Sequence, residues 1–291
     1  MSDIDSDEEW DLAAKALESL QIEEGINQGA TKGAIVESND NEQEGKTESR
    51  QQPSPSTSSG SRAVEIFSKL LGKPAALAPT PGSGKKILVL LDMNGVLLCR
   101  SPEKIKGQAR SFDCKVVNNF CYIRSGANDL VSWLAACPAV DLSFYTSMKK
   151  KSAGPLAEFV MGKEDKTIHL YDQPFNKKDP DGEKPWSMMR DLPKLWSLKD
   201  TPAYNHSEKT TIMIDDSYAK MREYPDNVLL VPEYTAEIIE CGEINDEKVL
   251  RTTIKFMNEL TQAWNSLINN GESNDKDIRE LIRPLRERYI F

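Results

Sequence analysis

Three short stretches place oxygen-bearing side chains at the ends of apolar runs. ILVLLD at 87–92 ends in Asp92 and continues as Met93-Asn94-Gly95-Val96. LSFYT at 142–146 leads into Thr146-Ser147, and TIMID at 211–215 leads into Asp215-Asp216-Ser217. Taken one at a time these are ordinary. An Asp after a strand often only forms a turn, Thr-Ser can cap a helix, and Asp-Asp-Ser is a common helix start. Gathered at one edge they are not ordinary, because neighbouring carboxylates repel one another unless a cation sits between them. A set with oxygen ligands and no His or Cys suits magnesium, which keeps waters and often bridges a phosphate.

The elements around these stretches explain how they meet. The runs at 87–92, 142–146, 167–171, 211–215 and 228–231 read as apolar strands, and 126–136, 155–162 and 187–196 read as helices between them. Apolar strands alternating with helices predict a parallel sheet covered on both faces, an α/β Rossmann-like fold. In such sheets function collects where the strands end at their carboxyl termini. Further helical patterns at about 246–269 and 275–287 predict a carboxy-terminal helical extension. The expected organisation is a tail over 1–75, a catalytic-type domain over 85–240 and helices packed on it over 241–291. The insertions at 103–118 and 172–186 are expected to rim the site.

Composition narrows the function classes. Residues 1–50 hold 14 Asp/Glu against 4 Lys/Arg, whereas 51–291 hold 32 against 33, a net of +1. The acidity thus belongs to the tail. The rest is near neutral, which argues against nucleic acid as a direct partner. Residues 1–75 are rich in Glu, Ser, Gln and Gly and are expected to be disordered. Short helical islands at Trp10–Leu20 and Val64–Leu71 are expected to be transient. Cys99, Cys114, Cys121, Cys137 and Cys241 show no metal or disulfide spacing and read as free thiols. His169 and His206, the only histidines, read as ordinary strand or loop residues. There is no run of about 18 apolar residues, no basic signal start and no arginine-rich presequence, so the expectation is no membrane span and a place in the nucleus or cytoplasm. PGSGKK at 81–86 lacks the P-loop spacing and precedes its strand. Lys149, Lys150 and Lys151 read as a solvated helix start.

The ordered series DMNGVL, IRSGANDLVSWL, FYTS, RDLPKLW and IDDS resembles the FCP/small carboxy-terminal-domain phosphatases of the haloacid dehalogenase superfamily. That family includes NLI-interacting factors and a presequence receptor of the mitochondrial inner-membrane translocase. The resemblance covers about half the chain. It implies magnesium, an aspartyl-phosphate intermediate and phosphoserine or phosphothreonine protein substrates, and a monomer is expected. Carried over, Asp92 matches the nucleophile, and Asp92, Asn94 (through its carbonyl) and Asp216 match the metal ligands. Thr146, Ser147 and Arg190 match the phosphate-binding positions, and Asp215 would orient the site from behind the ligands. Arg124 matches an arginine expected to be structural, with Ser125 in place of the family's proline.

Two departures stand out. The family's acid/base aspartate, two residues after the nucleophile, is Asn94 here. An amide cannot shuttle a proton, and that help is typically worth 10²–10⁴-fold. The family's phosphate-neutralising lysine is Arg190, with Lys184 and Lys194 as nearby alternatives. The leading expectation is a slow magnesium-dependent protein serine/threonine phosphatase. A catalytically silent phosphopeptide-binding module and a translocase receptor-like scaffold remain as alternatives.

Overall fold

The computed structural model describes residues 85–106, 111–162, 168–182, 184–185, 187–242, 246–269, 276–289 and 291. The expectations for residues 1–75 lie outside the described residues.

Five parallel strands form the central sheet: β1 (Ile87–Leu91), β5 (Val140–Tyr145), β6 (His169–Tyr171), β9 (Thr211–Asp215) and β10 (Val228–Leu230). Their order is β10-β9-β1-β5-β6. The strand carrying Asp92 is therefore central, and its neighbours are the strands that end in Thr146 and in Asp215-Asp216. Register aligns these ends, since Leu91 pairs with both Phe144 and Ile214. The ladder also runs slightly past them. Asp92 N donates to Ile214 O at 3.0 Å, and Thr146 N donates to Tyr171 O at 2.9 Å.

β1 is buried at all five positions because both faces are covered. Ile87, Val89 and Leu91 enter one apolar cluster, and Leu88 and Leu90 enter the other, with the period of two of a pleated strand. On the first face pack α1 (Ala127–Ala136) and α2 (Lys150–Met161). The same cluster takes residues of α6 (Asp246–Asn269) and α7 (Arg279–Arg288). In α1 the buried positions Ala127, Leu130, Val131 and Leu134 have helical spacing. On the other face lie α3 (Leu192–Trp196) and α4 (Tyr218–Met221). A short α5 (Ala236–Cys241) precedes α6.

Several local expectations are corrected. α2 starts at Lys150 rather than 155 and carries Pro155 inside it. Burial of Ala153, Leu156, Ala157 and Val160 outweighs the one backbone donor that proline removes. The helix expected over 187–196 divides. Met188–Met189 (β8) pairs antiparallel with Lys177–Lys178 (β7), and α3 begins only after Asp191, whose side chain accepts from Lys194 N. The sequence also hid an antiparallel sheet in the order β2-β4-β3: β2 (Leu98–Ser101), β3 (Cys114–Val116) and β4 (Asn119–Ile123). The five cysteines are free thiols. Among the described residues, no helix is long and apolar enough to cross a membrane.

Candidate active site

Asp92, Asp215 and Asp216 stand at the carboxyl ends of β1 and β9. One carboxylate oxygen from each lies within 4.8 Å of the others. The turn after β1 makes this approach possible. Gly95 has φ +90°, and a β-carbon there would lie 2.6 Å from the Asp216 carboxylate. Only glycine combines that backbone angle with that clearance. The turn is pinned by Gly95 N to Leu98 O at 2.8 Å and by Tyr234 N to Gly95 O at 2.7 Å. Arg124 holds it from behind, donating to Pro232 O at 2.8 Å and Val96 O at 3.3 Å. Its expected structural role fits these bonds.

Two cations face the three acids. Arg190 is wholly buried, and each of its guanidinium nitrogens has a partner. Nε and Nη2 both bind Asp215 Oδ2, at 2.9 and 2.7 Å, and Nη1 binds Asn176 Oδ1 at 3.1 Å. Nη2 also lies 2.7 Å from Asp92 Oδ2. The Tyr145 ring packs 4.8 Å from the guanidinium carbon. Asn176 in turn donates to Thr146 O at 2.8 Å, so this network ties β5 to β9. The second cation is Lys220, four residues after Asp216. Its Nζ donates to Asp92 Oδ2 at 3.1 Å and lies 3.7 Å from Asp216 and 3.8 Å from Asp215.

These contacts set the protonation tendencies. Burial alone would raise the Asp215 carboxyl, but Arg190 and Lys220 outweigh it and hold the group below the usual range. Asp216 is pushed up to about 7 by burial, partly offset by Lys220 and reinforced by Asp92 and Asp215. Burial would lower the Lys220 ammonium, yet Asp92 and Asp215 leave it raised.

Beside the acids opens a cleft of about 280 Å³, lined by Ser147, Gln173, Asp179, Ser187, Met188, Ser217, Ala219 and Lys220. Thr146 and Asp216 lie one residue behind Ser147 and Ser217 in the chain. Thr146 Oγ1 accepts from Met148 N at 3.2 Å and does not cap α2, which starts after Lys149. The 172–186 insertion contributes Gln173 and Asp179 to the rim, whereas none of the described part of 103–118 lines this cleft. Ile105 and Phe112 of that insertion pack instead beside Tyr122 and Tyr234.

The NLI interacting factor-like phosphatase family model matches residues 86–267. The chain belongs to this family. No curated protein sequence matches it. Among solved structures, a beryllium fluoride-bound variant of the fission yeast RNA polymerase II CTD phosphatase Fcp1 is similar at 14% identity and a TM-score of 0.35. The match covers 79% of this chain and 66% of that one. A structure described as Fcp1, an essential RNA polymerase II CTD phosphatase, gives 14% identity, a TM-score of 0.35, and coverages of 77% and 65%. The chain spans about two thirds of the length of these structures.

Seen as a member of this phosphatase family, the site departs from the sequence reading in its cations. Lys194 donates to Pro174 O, and Lys184 stands exposed on the β7–β8 loop. The lysine beside Asp92 is Lys220, which the sequence reading passed over. Its spacing of four from Asp216 at a helix start was the available signal. Asn176 carried no signal at all. The residues suit a magnesium ion. With all three carboxylates ionised, two cations leave one negative charge, and Asn94 Oδ1 and Asp216 Oδ1 are buried without a hydrogen-bond partner among the described residues. A divalent cation would reverse that charge before a phosphate dianion arrives.

Proposed function

We propose that this chain is a magnesium-dependent phosphoprotein phosphatase acting on phosphoserine or phosphothreonine through an aspartyl-phosphate on Asp92, and that Asn94 makes it slow. The observation carrying this reading is the cluster of Asp92, Asp215 and Asp216 within 4.8 Å at the end of the central strand. Asp92, Asp216 and the main-chain carbonyl of Asn94 would hold magnesium, which when bound neutralises phosphate charge. One Asp92 oxygen attacks phosphorus as the bond to the ester oxygen breaks. The Thr146 hydroxyl and the Ser147 segment receive the phosphoryl oxygens. Arg190 braces Asp92 and Asp215, pairing with both at 2.7 Å. Asn94 can position the leaving oxygen but has no proton to give it. Protonation therefore falls to solvent, and aryl esters, whose leaving groups need little of it, react better than serine esters. A monomer in the nucleus or cytoplasm remains part of this reading.

The test is turnover of an aryl phosphate with magnesium, wild type beside Asp92→Asn, with intact-mass detection of a phosphorylated enzyme. Asn94 also favours a second reading, a silent phosphopeptide-binding module. Phosphopeptide binding with no phosphorylated species would decide for that module and against the enzyme.

A further inference from the structure

We infer that Lys220 is a catalytic residue of this site, its ammonium moving from Asp92 onto the phosphoryl oxygens of the substrate while Arg190 stays to hold the acids. The inference rests on the phosphatase reading above and assigns a role to a residue that neither the family resemblance nor the sequence motifs single out.

The argument starts from the nucleophile. Asp92 Oδ1 accepts from Met93 N at 2.8 Å, and Oδ2 has Arg190 at 2.7 Å and Lys220 at 3.1 Å. With both cations on it, Oδ2 has no lone pair to offer phosphorus until one of them leaves. Arg190 is the wrong candidate. Its side chain is 0% exposed, and moving it would break two bonds to Asp215 and one to Asn176. A buried charge that loses such partners is strongly penalised. Arg190 therefore works as a fixed brace, although it occupies the position of the family's phosphate-binding lysine.

Lys220 has the opposite properties. Its side chain is 25% exposed and forms part of the cleft wall beside Ser147 and Ser217. It makes one hydrogen bond among the described residues, and its contacts to Asp215 and Asp216 are long. A flexible four-carbon stem can swing a compact ammonium with three donors by an ångström or two. Its backbone is fixed meanwhile, since Arg190 N donates to Lys220 O at 3.0 Å. The arriving phosphate offers a dianion in exchange for one carboxylate oxygen. As the Asp92 oxygen–phosphorus bond forms, the electron pair of the ester bond departs with the leaving oxygen. Lys220 neither gives nor takes a proton. It carries charge onto the phosphoryl oxygens and frees Asp92 in the same movement.

The experiment compares wild type, Lys220→Met, Lys220→Arg and Arg190→Lys. It reads phosphoenzyme formation from an aryl phosphate, affinity for beryllium fluoride with magnesium as the phosphoryl mimic, and affinity for magnesium alone. Lys220→Met is expected to slow phosphoenzyme formation by about 10²–10³-fold and to weaken beryllium fluoride binding, with magnesium affinity kept or increased. Lys220→Arg should recover part of the rate. Arg190→Lys should instead lower the melting temperature. A counter-ion with only a structural role would lose magnesium affinity and melting temperature together with the rate. That pattern overturns the inference, as does a Lys220→Met rate within about threefold of wild type. If Lys220→Met does not fold, acetylation of wild-type Lys220 mapped by mass spectrometry decides. Protection by magnesium and beryllium fluoride at Lys220 but not at Lys194 is expected, and unchanged labelling overturns the inference. A wild type that forms no phosphoenzyme and binds no beryllium fluoride sinks the phosphatase reading itself, a different failure.

Discussion

At the residue scale, two neighbours in one turn make separable predictions. Asn94 occupies the position from which a proton would be delivered. Asn94→Asp should therefore raise phosphoserine turnover by on the order of 10²-fold and shorten the lifetime of the phosphorylated enzyme. Steady-state assays on a phosphoserine peptide and intact-mass time courses check both. An unchanged lifetime would show that water activation is not what Asn94 lacks. Gly95 acts through space alone. Gly95→Ala puts a methyl group where the Asp216 carboxylate stands, at φ +90°. The carboxylate must shift by several tenths of an ångström out of the cluster, so magnesium-dependent turnover should fall by about 10²-fold. Circular dichroism should stay native, because the turn is held by bonds from Leu98 and Tyr234 that alanine leaves in place. His206 shows how similar chemistry at the other edge means less. It bridges Asp141 and Thr210 at 3.2 Å each, a His between an acid and a hydroxyl. These residues lie at the amino ends of β5 and β9, and Thr210 Oγ1 is already bonded within its own turn at Ser207.

At the scale of elements, that same bridge ties a loop to the bottom of the sheet. Burial alone would raise the Asp141 carboxyl, but hydrogen bonds from His206 and Lys86 outweigh it and hold it below the usual value. A depressed carboxylate contributes stability that is fully present above its unfolded value, about 3.9, and is lost as pH falls through the lower folded value. Asp141→Asn should flatten the acid limb of the melting-temperature profile below about pH 4. Parallel limbs for variant and wild type would remove this element from the account. The parallel sheet was legible for a physical reason: its central strands β1 and β9 are buried at every position, and β1 reads as an unbroken apolar run. β2, β3 and β4 were not, because they are only three to five residues long and each carries a polar residue such as Arg100, Lys115 or Asn119, which leaves too short a run to read as a strand. The acids of the site were legible because they follow apolar strands. Arg190 was placed by its motif, but its engagement with Asp215 and Asn176 depends on partners 25 and 14 residues away. Lys220 escaped because a lysine on a four-residue helix resembles any solvated one.

At the scale of the molecule, the carboxy-terminal helices belong to the core of the domain. Trp264 of α6 is buried, and its indole donates to Lys85 O at 2.7 Å, two residues ahead of β1. Family similarity ends at residue 267, yet α7 lies beyond it and places Ile282 and Leu285 in the same cluster as β1, with Ile278 just ahead of it. Burying three such side chains is worth roughly 5–9 kcal/mol as an upper figure. Domain stabilities lie at about 5–15 kcal/mol, so α7 can decide whether the domain folds. Its effect also reaches the site. Arg286 donates to Pro225 O at 2.6 Å and Val228 O at 3.2 Å, holding the turn that follows the Lys220 helix and leads into β10. Ending the chain after Asn269 should therefore abolish a cooperative melt, or lower its midpoint by well over 10 °C, and remove phosphoenzyme formation with it. Arg286→Ala, which cuts only the link to the turn, should cost about 1–2 kcal/mol and leave most of the activity. If the truncated chain melts and reacts like the full one, α7 is an appendage and the domain ends with α6. If Arg286→Ala alone abolishes activity, α7 serves the site more than the core.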